Sequence, residues 1–506
     1  MEDEKLLLMR GECKSNREDR VRVYNELKRI VLGNDKNNPL YSHLEIVTSL
    51  CYYPDNIIFD IDLKESKVSD EVLEQRKLLV KDMHEYYFRS GLDIKFYDWI
   101  MNGLLYGDYF CKVFIDGNKV KVKPVSPKFI SVLNEEHEDL DEYQAICHTV
   151  YLPRRYAEKK YAGRTFVVAS EDTSDVDVRY RFLMKVDNQN ASVTEMPLDV
   201  SELRIMPRRY TDVVEVDELW YYDYDKKDWV MVQFIGDEIV ERATASQCFL
   251  KGILPFVHFK PRNIEGQFYG MSELFYLIRL FEKLDEYYER LDHLVDLLIQ
   301  PPLIVGGLTN SIEAEEIKKK INIPASVIEI LDPTSKIDLY TPKITPDILA
   351  LILNKYEEVF KSRSGLEGIL RGSPMPNVRS ANYAQILAQF ASAPLKKLAL
   401  KSECFIEDVM TLYITAKSLV DSRFSALLGN EMQADIFAHT SSPITAMAYE
   451  DRILTLAEMG IIPLENVIDL LPIPKKEEIV RRVKEIEALK IQEAMMPNKQ
   501  EKGGKK

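Results

Sequence analysis

Residues 268–305 read FYGMSELFYLIRLFEKLDEYYERLDHLVDLLIQPPLIV, and the periodicity inside this stretch decides the fold. From Phe281 the apolar residues Leu284, Tyr288, Leu291, Val295 and Leu298 follow at intervals of 3, 4, 3, 4 and 3. That spacing predicts one long helix with an apolar seam that must pack on a neighbour. One residue on, Glu282, Asp285, Glu289, Asp292 and Asp296 repeat the interval, about 100° around the axis from the seam. Like charges at i,i+3 and i,i+4 repel, so a five-carboxylate column lowers helix stability. A solvated face is the ordinary reading of such a run; the loss of stability invites a functional one. Pro301-Pro302 ends the helix, Leu303-Ile304-Val305 reads as a short strand, and Gly306-Gly307 turns the chain.

Downstream, residues Leu303 to Tyr340 read as a small α/β unit. It has a first strand, a helix from Ile312 to Lys320 capped by Asn310 with Glu313 behind it, and strands at Ser326 to Leu331 and Ile337 to Tyr340. Thr345-Pro346-Asp347 then starts a second helix that runs to Arg363 with Leu349, Ile352, Tyr356 and Val359 on one side. A helix out, a small module and a helix back make a stalk with a tip. The segment SRSGLEGILRGSPMPNVRS, Ser362 to Ser380, interrupts the helical pattern with three glycines and two prolines and carries Arg363, Arg371 and Arg379 against Glu367. A loop of this length without regular structure is functional or disordered. Ala381 to Leu419 follows as a long apolar-faced helix in which Pro394 is expected to introduce a kink. Helices are expected at Thr445 to Met459, Leu464 to Leu471 and Lys475 to Met495, and the Lys- and Gly-rich tail 497–506 cannot build a core.

Upstream, residues 1–20 are charged and lack a clear apolar repeat, so they read as a flexible or partner-ordered arm. Ser69-Asp70 caps a helix through Tyr87, and a second helix runs from Ile94 to Tyr106. Tyr109, Cys111, Val113 and Ile115 alternate with polar residues, Asp116-Gly117-Asn118 makes a turn, and Val120 and Val122 resume the alternation as a hairpin. Further strands are expected at 146–152, 165–169, 180–186, 219–224 and 229–235, a β-rich module ahead of the long helix. Trp220 and Trp229 within it read as core or interface fillers.

Leu254-Pro255-Phe256-Val257, the start Tyr269-Gly270-Met271-Ser272-Glu273-Leu274, the acidic helix and the Pro-Pro-Leu-Ile-Val exit together resemble the portal proteins of tailed bacteriophages. Those are head-vertex rings through which DNA is packaged. The resemblance covers roughly Lys95 to Leu489 and rests on the order of parts rather than on any invariant residue. It implies an α+β fold, mainly helical, with a β-rich wing (21–267), a stem helix (268–300), a small α/β clip (301–345), a second stem helix (346–363), a tunnel loop (364–380), a radial helix in the wing (381–442) and a helical crown (443–496). By the same resemblance the chain is a ring subunit, typically of a dodecamer, at one capsid vertex of the virion, assembled in the host cytoplasm. Double-stranded DNA would pass through the ring during packaging and ejection. Its partners would be the large terminase, the scaffolding and major capsid proteins, and head-completion adaptors of the neck. Glu282, Asp285, Glu289, Asp292 and Asp296 are then candidate channel-lining residues of the stem, and Arg363, Arg371 and Arg379 candidate DNA contacts in the tunnel loop. The arginines have an alternative use as ion-pair partners of acidic residues on adjacent subunits.

Composition bounds the reading. The chain has 506 residues, 46% of them apolar, too many for a single core. Its net charge of −15 argues against a protein that holds nucleic acid by neutralising phosphates, so DNA would be passed rather than gripped. Cys13, Cys51, Cys111, Cys147, Cys248 and Cys404 are widely spaced, without a zinc or disulfide pattern, and read as reduced intracellular thiols. The start Met1-Glu-Asp-Glu-Lys lacks the basic and apolar character of a secretion signal, and no run approaches a membrane span. No Walker, G-x-S-x-G or H-E-x-x-H motif occurs, so no catalytic residue, metal or cofactor is assigned. Two alternatives stand beside the ring: a metal-dependent enzyme acting on nucleic acid, and a cytoplasmic helical scaffold. Five carboxylates at helical spacing form a line too long to converge on one ion, which ranks the first low.

Overall fold

The computed structural model describes residues 2–33, 38–54, 57, 59–63, 69–117, 119–140, 144–161, 213–245, 253–306, 323, 326–330, 338–339, 346–363, 395–427, 432–436, 453–459 and 467. Among these the helices of seven residues or more are α1 (Glu2–Gly33), α2 (Pro39–Cys51), α3 (Asp70–Arg89), α4 (Leu92–Tyr106), α5 (Arg154–Lys160), α6 (Phe275–Ile299), α7 (Pro346–Arg363) and α8 (Lys396–Val420). The strands are β1 (Phe59–Leu63), β2 (Tyr109–Asp116), β3 (Lys119–Val125), β4 (Ile130–Val132), β5 (Ala145–Pro153), β6 (Val213–Asp223), β7 (Asp228–Ile235), β8 (Glu238–Thr244), β9 (Phe256–Phe259), β10 (Leu303–Gly306), β11 (Val327–Ile330), β12 (Asp338–Leu339) and β13 (Met432–Ile436). The chain is thus a mixed helix and sheet protein, and no helix among the described residues is long and apolar enough to cross a membrane.

The largest core joins α2, α3, α4 and α8 to the three-stranded sheet β3-β2-β9 and to the base of α6. Local chemistry starts several of these elements where the sequence places them. Ser69 caps α3, its hydroxyl accepting the Val72 N–H at 3.4 Å. Asp116 pairs directly with Lys119 across the turn between β2 and β3, and Gly117 there takes a φ of 61°, open to glycine at no steric penalty. The predicted strands at 146–152, 219–224 and 229–235 fall in β5, β6 and β7 of an antiparallel five-stranded sheet, order β4-β5-β6-β7-β8. Trp220 and Trp229 are fillers, buried in a second core with Phe110, Phe256 and Phe268.

Three expectations are corrected. Residues 1–20 were expected as an arm, and instead α1 runs unbroken from Glu2. Leu6 and Cys13 enter a cluster with Cys147, Leu219, Val232 and Phe234 of the five-stranded sheet, while Lys14 pairs with Asp217 at 2.9 Å and Arg20 with Glu135 at 3.1 Å. Its few apolar residues bury against strands more than a hundred positions away, so tertiary packing rather than a local repeat orders it. Second, the long helix starts at Phe275, not Phe268. The N–H groups of Phe268, Met271 and Glu273 are committed to carbonyls of Glu135, Arg262 and Leu104, at 2.8, 2.9 and 2.9 Å, and cannot serve a helix. Third, Tyr288 and Val295, expected in the seam, are 42% and 37% exposed, and their neighbours Tyr287 and Leu294 turn inward instead. Both pairs of adjacent residues are apolar, so the spacing alone does not choose between them.

After α6, β10 pairs with β11 in parallel and with β12 antiparallel, giving the order β11-β10-β12, and α7 returns the chain. The helix expected at 312–320, the strands at 165–169 and 180–186, the loop 364–380, the stretch 381–394 with Pro394, and the tail 497–506 lie outside the described residues. So do the three C-terminal helices, apart from 453–459 and Val467.

Candidate functional site

The hairpin of α6 and α7 stands on an anchored base. Gly270 is tucked so closely against the turn at Gly107 that a Cβ on Gly270 would lie 2.4 Å from the Gly107 carbonyl oxygen. Asp108, next in the chain and fully buried, collects three donors: the Tyr24 hydroxyl at 3.1 Å, His258 Nε2 at 2.9 Å and the Gly270 N–H at 2.8 Å. One carboxylate thereby ties α1, β9 and the lead-in of α6 to the start of β2. His258 stacks with Phe110 at 4.3 Å and with Phe268 at 4.7 Å. Burial pushes its pKa below the usual histidine value, and the bond to Asp108 only partly offsets that. Glu273, one residue before the helix cap, is gripped by Arg262 at 2.5 and 2.8 Å. Burial raises its pKa, but His43 and Arg262 beside it more than offset this and hold it below the usual carboxylate range.

Above this base, Leu277, Leu280, Phe281 and Leu284 are buried, and Phe281 and Leu284 share the main core with Leu353 and Phe360 of α7. Farther along, the Tyr287 and Tyr356 rings meet at 5.1 Å, and the Tyr288 hydroxyl donates to Glu357 Oε1 at 2.5 Å. That acceptor pushes the Tyr288 hydroxyl up to about 12. These contacts set α7 antiparallel to α6. Pro301 and Pro302 end α6 after Gln300, whose N–H still reaches the Asp296 carbonyl at 2.9 Å.

The carboxylate column lies on the side of α6 turned away from α7. Glu282, Glu289, Asp292 and Asp296 are exposed and Asp285 is half-buried. At about 1.5 Å rise per residue the column extends roughly 21 Å from first to last member, a line rather than a cluster. Among the described residues no three His, Cys, Asp or Glu side chains gather as a metal site. Arg363 is exposed at the end of α7, and Arg371 and Arg379 lie outside the described residues. The structure therefore presents the five acidic residues along one side of α6, and of the three arginines it describes Arg363 alone.

A second polar feature escaped the sequence reading. A cleft of about 770 Å³ between the β2-β3 hairpin and the five-stranded sheet is lined by Lys112, Lys123, Phe114, His148, Glu218 and Tyr161, among others. Its floor is closed on itself. Glu218 binds Lys112, His148 Nδ1 at 3.1 Å and Gln233 Nε2 at 3.2 Å, and the Tyr161 hydroxyl donates to Gln233 at 2.5 Å. Burial raises the Glu218 pKa, yet Lys112 and His148 more than offset it and keep the carboxyl ionised; burial likewise lowers the pKa of His148. These residues come from β2, β5, β6, β7 and the C-cap of α5, so no local spacing announces them. No family model matches this chain, and no curated protein is similar to it.

Proposed function

We propose that this chain is the subunit of a closed ring that passes double-stranded DNA, a portal of the tailed-bacteriophage kind. The observation that carries the reading is the α6–α7 hairpin: two antiparallel helices rooted in a packed body, bearing a line of five carboxylates, four of them exposed, on the face away from the partner helix. In this reading the hairpin is the stem and the β10–β12 unit at its far end is the clip, which receives the large terminase during packaging and neck adaptors afterwards. The helices and sheets of the body form the wing, against which scaffolding and major capsid proteins assemble. The ring is a dodecamer in the virion, and the subunit is made in the host cytoplasm.

With the column turned toward the channel, the ring repels DNA phosphates from its wall, and a low-adhesion surface is what a duplex moving in both directions requires. Nothing in this role calls for bond chemistry by the chain itself. The class is tested by imaging the purified protein in negative stain with native mass measurement alongside: rings with a central hole and a mass near twelve subunits are expected, and a monodisperse monomer or dimer sinks the reading. The lining is tested by replacing Glu282, Asp285, Glu289, Asp292 and Asp296 with Gln. Ring formation should persist while DNA packaging slows, and packaging at normal rate and yield removes the repulsive-wall role.

A further inference from the structure

The cleft between the β2-β3 hairpin and the five-stranded sheet holds one charge that the chain does not answer. In the hairpin register Lys112 lies directly opposite Lys123 and Phe114 opposite Lys121, and all four line the cleft. Like charges at paired positions weaken a hairpin. Lys112 is compensated, since it binds Glu218 and lies 5.8 and 5.3 Å from the centres of the Trp220 and Phe256 rings. Lys121 pairs with Asp116, and Lys160, on the wall across from the hairpin, approaches Glu241 at 3.8 Å. Lys123 is exposed and makes no ion pair among the described residues; its ammonium stands 5.1 Å from the centre of the Phe114 ring. The four lysines of the lining thus face three carboxylates, and the surplus cation is Lys123.

The rest of the cleft is apolar or occupied with itself. Its floor is held by bonds among its own members, Glu218 with Lys112, His148 and Gln233, and Gln233 with Tyr161. The walls are aromatic and aliphatic, with Phe114, Phe129, Val150, Tyr156 and Met231 in the lining and Tyr156 55% exposed. A volume of about 770 Å³ admits a drug-sized molecule. The strands at its centre, β2, β5, β6 and β7, have partners on both edges, so no backbone there is open to take an added strand. Recognition has to run through side chains, which suits a compact molecule better than an extended peptide. One surplus ammonium matches one negative charge. A phosphate monoester carries about −1.5 to −2 at pH 7 and would set its excess against Asp116 and Glu241.

The geometry points to a binding site for a small organic acid with a single carboxylate and an aromatic or branched apolar body. The carboxylate sits at Lys123, and the body lies among Phe114, Phe129 and Tyr156. Val113 and Val120 of the hairpin belong to the main core, whereas Trp220 and Met231 of the sheet belong to the second. A bound acid therefore bridges the two cores and stabilises the folded chain by mass action. The site is complete within one chain and stands whether or not the chain forms a ring.

Isothermal titration of the full chain with 2-naphthoate and with indole-3-acetate tests it, beside the neutral 2-naphthamide and the doubly charged 2-naphthyl phosphate. One site per chain is expected for at least one acid, with the amide and the phosphate each at least about tenfold weaker. Lys123→Gln should weaken the acid by about tenfold, and Lys123→Arg should keep most of the affinity. Lys119→Gln makes the same charge change outside the lining and should alter binding less than about twofold. Because Lys123 is exposed and faces a like charge, Lys123→Gln should hold or raise the denaturant midpoint, which separates lost binding from lost folding. No saturation by either acid up to about 5 mM overturns the site. Equal binding of acid and amide, or undiminished binding in Lys123→Gln, overturns the assignment of the carboxylate to Lys123. Tighter binding of the phosphate than of the acids overturns the single charge in favour of a phosphate ester.

Discussion

The lead-in of the hairpin and the hairpin itself, joined at Leu274, are built on opposite principles. Around Asp108 the donors are collected from α1, β9 and the turn before α6, two aromatic rings stack with His258, and two backbones touch at Gly107 and Gly270. On α6 beyond Leu284, large apolar side chains face water beside a line of carboxylates, although the same helix has a well-filled seam toward α7. The difference teaches where the chain fills its own contacts and where it leaves apolar surface to water. Substitutions in the first region should act on folding, and substitutions in the second on assembly.

The steepest contrast is expected at Gly270→Ala. Its new Cβ would meet backbone oxygens of Gly107 at 2.4 Å and Arg262 at 2.9 Å, and neither can swing aside as a side chain would. A loss of about 4 kcal/mol or more is expected, read as a shift of the denaturant midpoint. A loss below about 1 kcal/mol would mean that the lead-in is loosely held and that the comparison is misdrawn.

Next comes a pair on one helix. Leu284→Ala empties a site in the main core and should destabilise the monomer by about 3 kcal/mol. Tyr288→Ala, four residues on, removes a side chain 42% exposed and one bond to Glu357 at the rim, and should stay under about 1 kcal/mol in the monomer. If the two variants unfold alike, α6 has no inward and outward side and the ring reading loses the outward face it relies on.

Much of this was legible in the sequence and some was not, for identifiable reasons. Ser69, the Asp116-Gly117 turn and Pro301-Pro302 act on their immediate neighbours, so their signals survive in one dimension. The five carboxylates were visible for the same reason, since a helix turns a spacing into a face. Which of Tyr287 or Tyr288 packs inward is decided by Tyr356, about seventy residues away, and no spacing in α6 contains that. The Asp108 hub draws on Tyr24, His258 and Gly270, and the pairing of β1 with β13 spans most of the chain. α1 was missed because its anchoring residues, Leu6 and Cys13 among them, are too sparse to form a repeat, and only the sheet they meet makes them a face.

The body should also respond to pH where the hairpin should not. His148 and His258 both have pKa values lowered in the folded chain, burial being the leading cause. Between the ordinary histidine value near 6.5 and those lower folded values, the unfolded chain binds protons that the folded chain refuses. Stability is therefore fully present above about pH 6.5 and declines as pH falls through that window, by at most about 1.4 kcal/mol per pH unit for each histidine. Denaturant midpoints at pH 7.5, 6.5 and 5.5 measure it, and His258→Gln should flatten the slope. A midpoint indifferent to pH over that range would mean that neither ring is held neutral by its surroundings.

The smallest effect is the most discriminating. Replacing all five column carboxylates with Gln removes like-charge neighbours at i,i+3 and i,i+4, each worth a few tenths of a kcal/mol against the helix. Four of the five side chains are exposed, so little is lost in exchange. The monomer should hold its midpoint within about 0.5 kcal/mol or gain slightly. A clear loss would show that the column supports the fold through partners in its own chain, which would make it part of the finished body. An unchanged or firmer helix means that selection for stability did not place these charges, and that their reason lies in what the outward face meets.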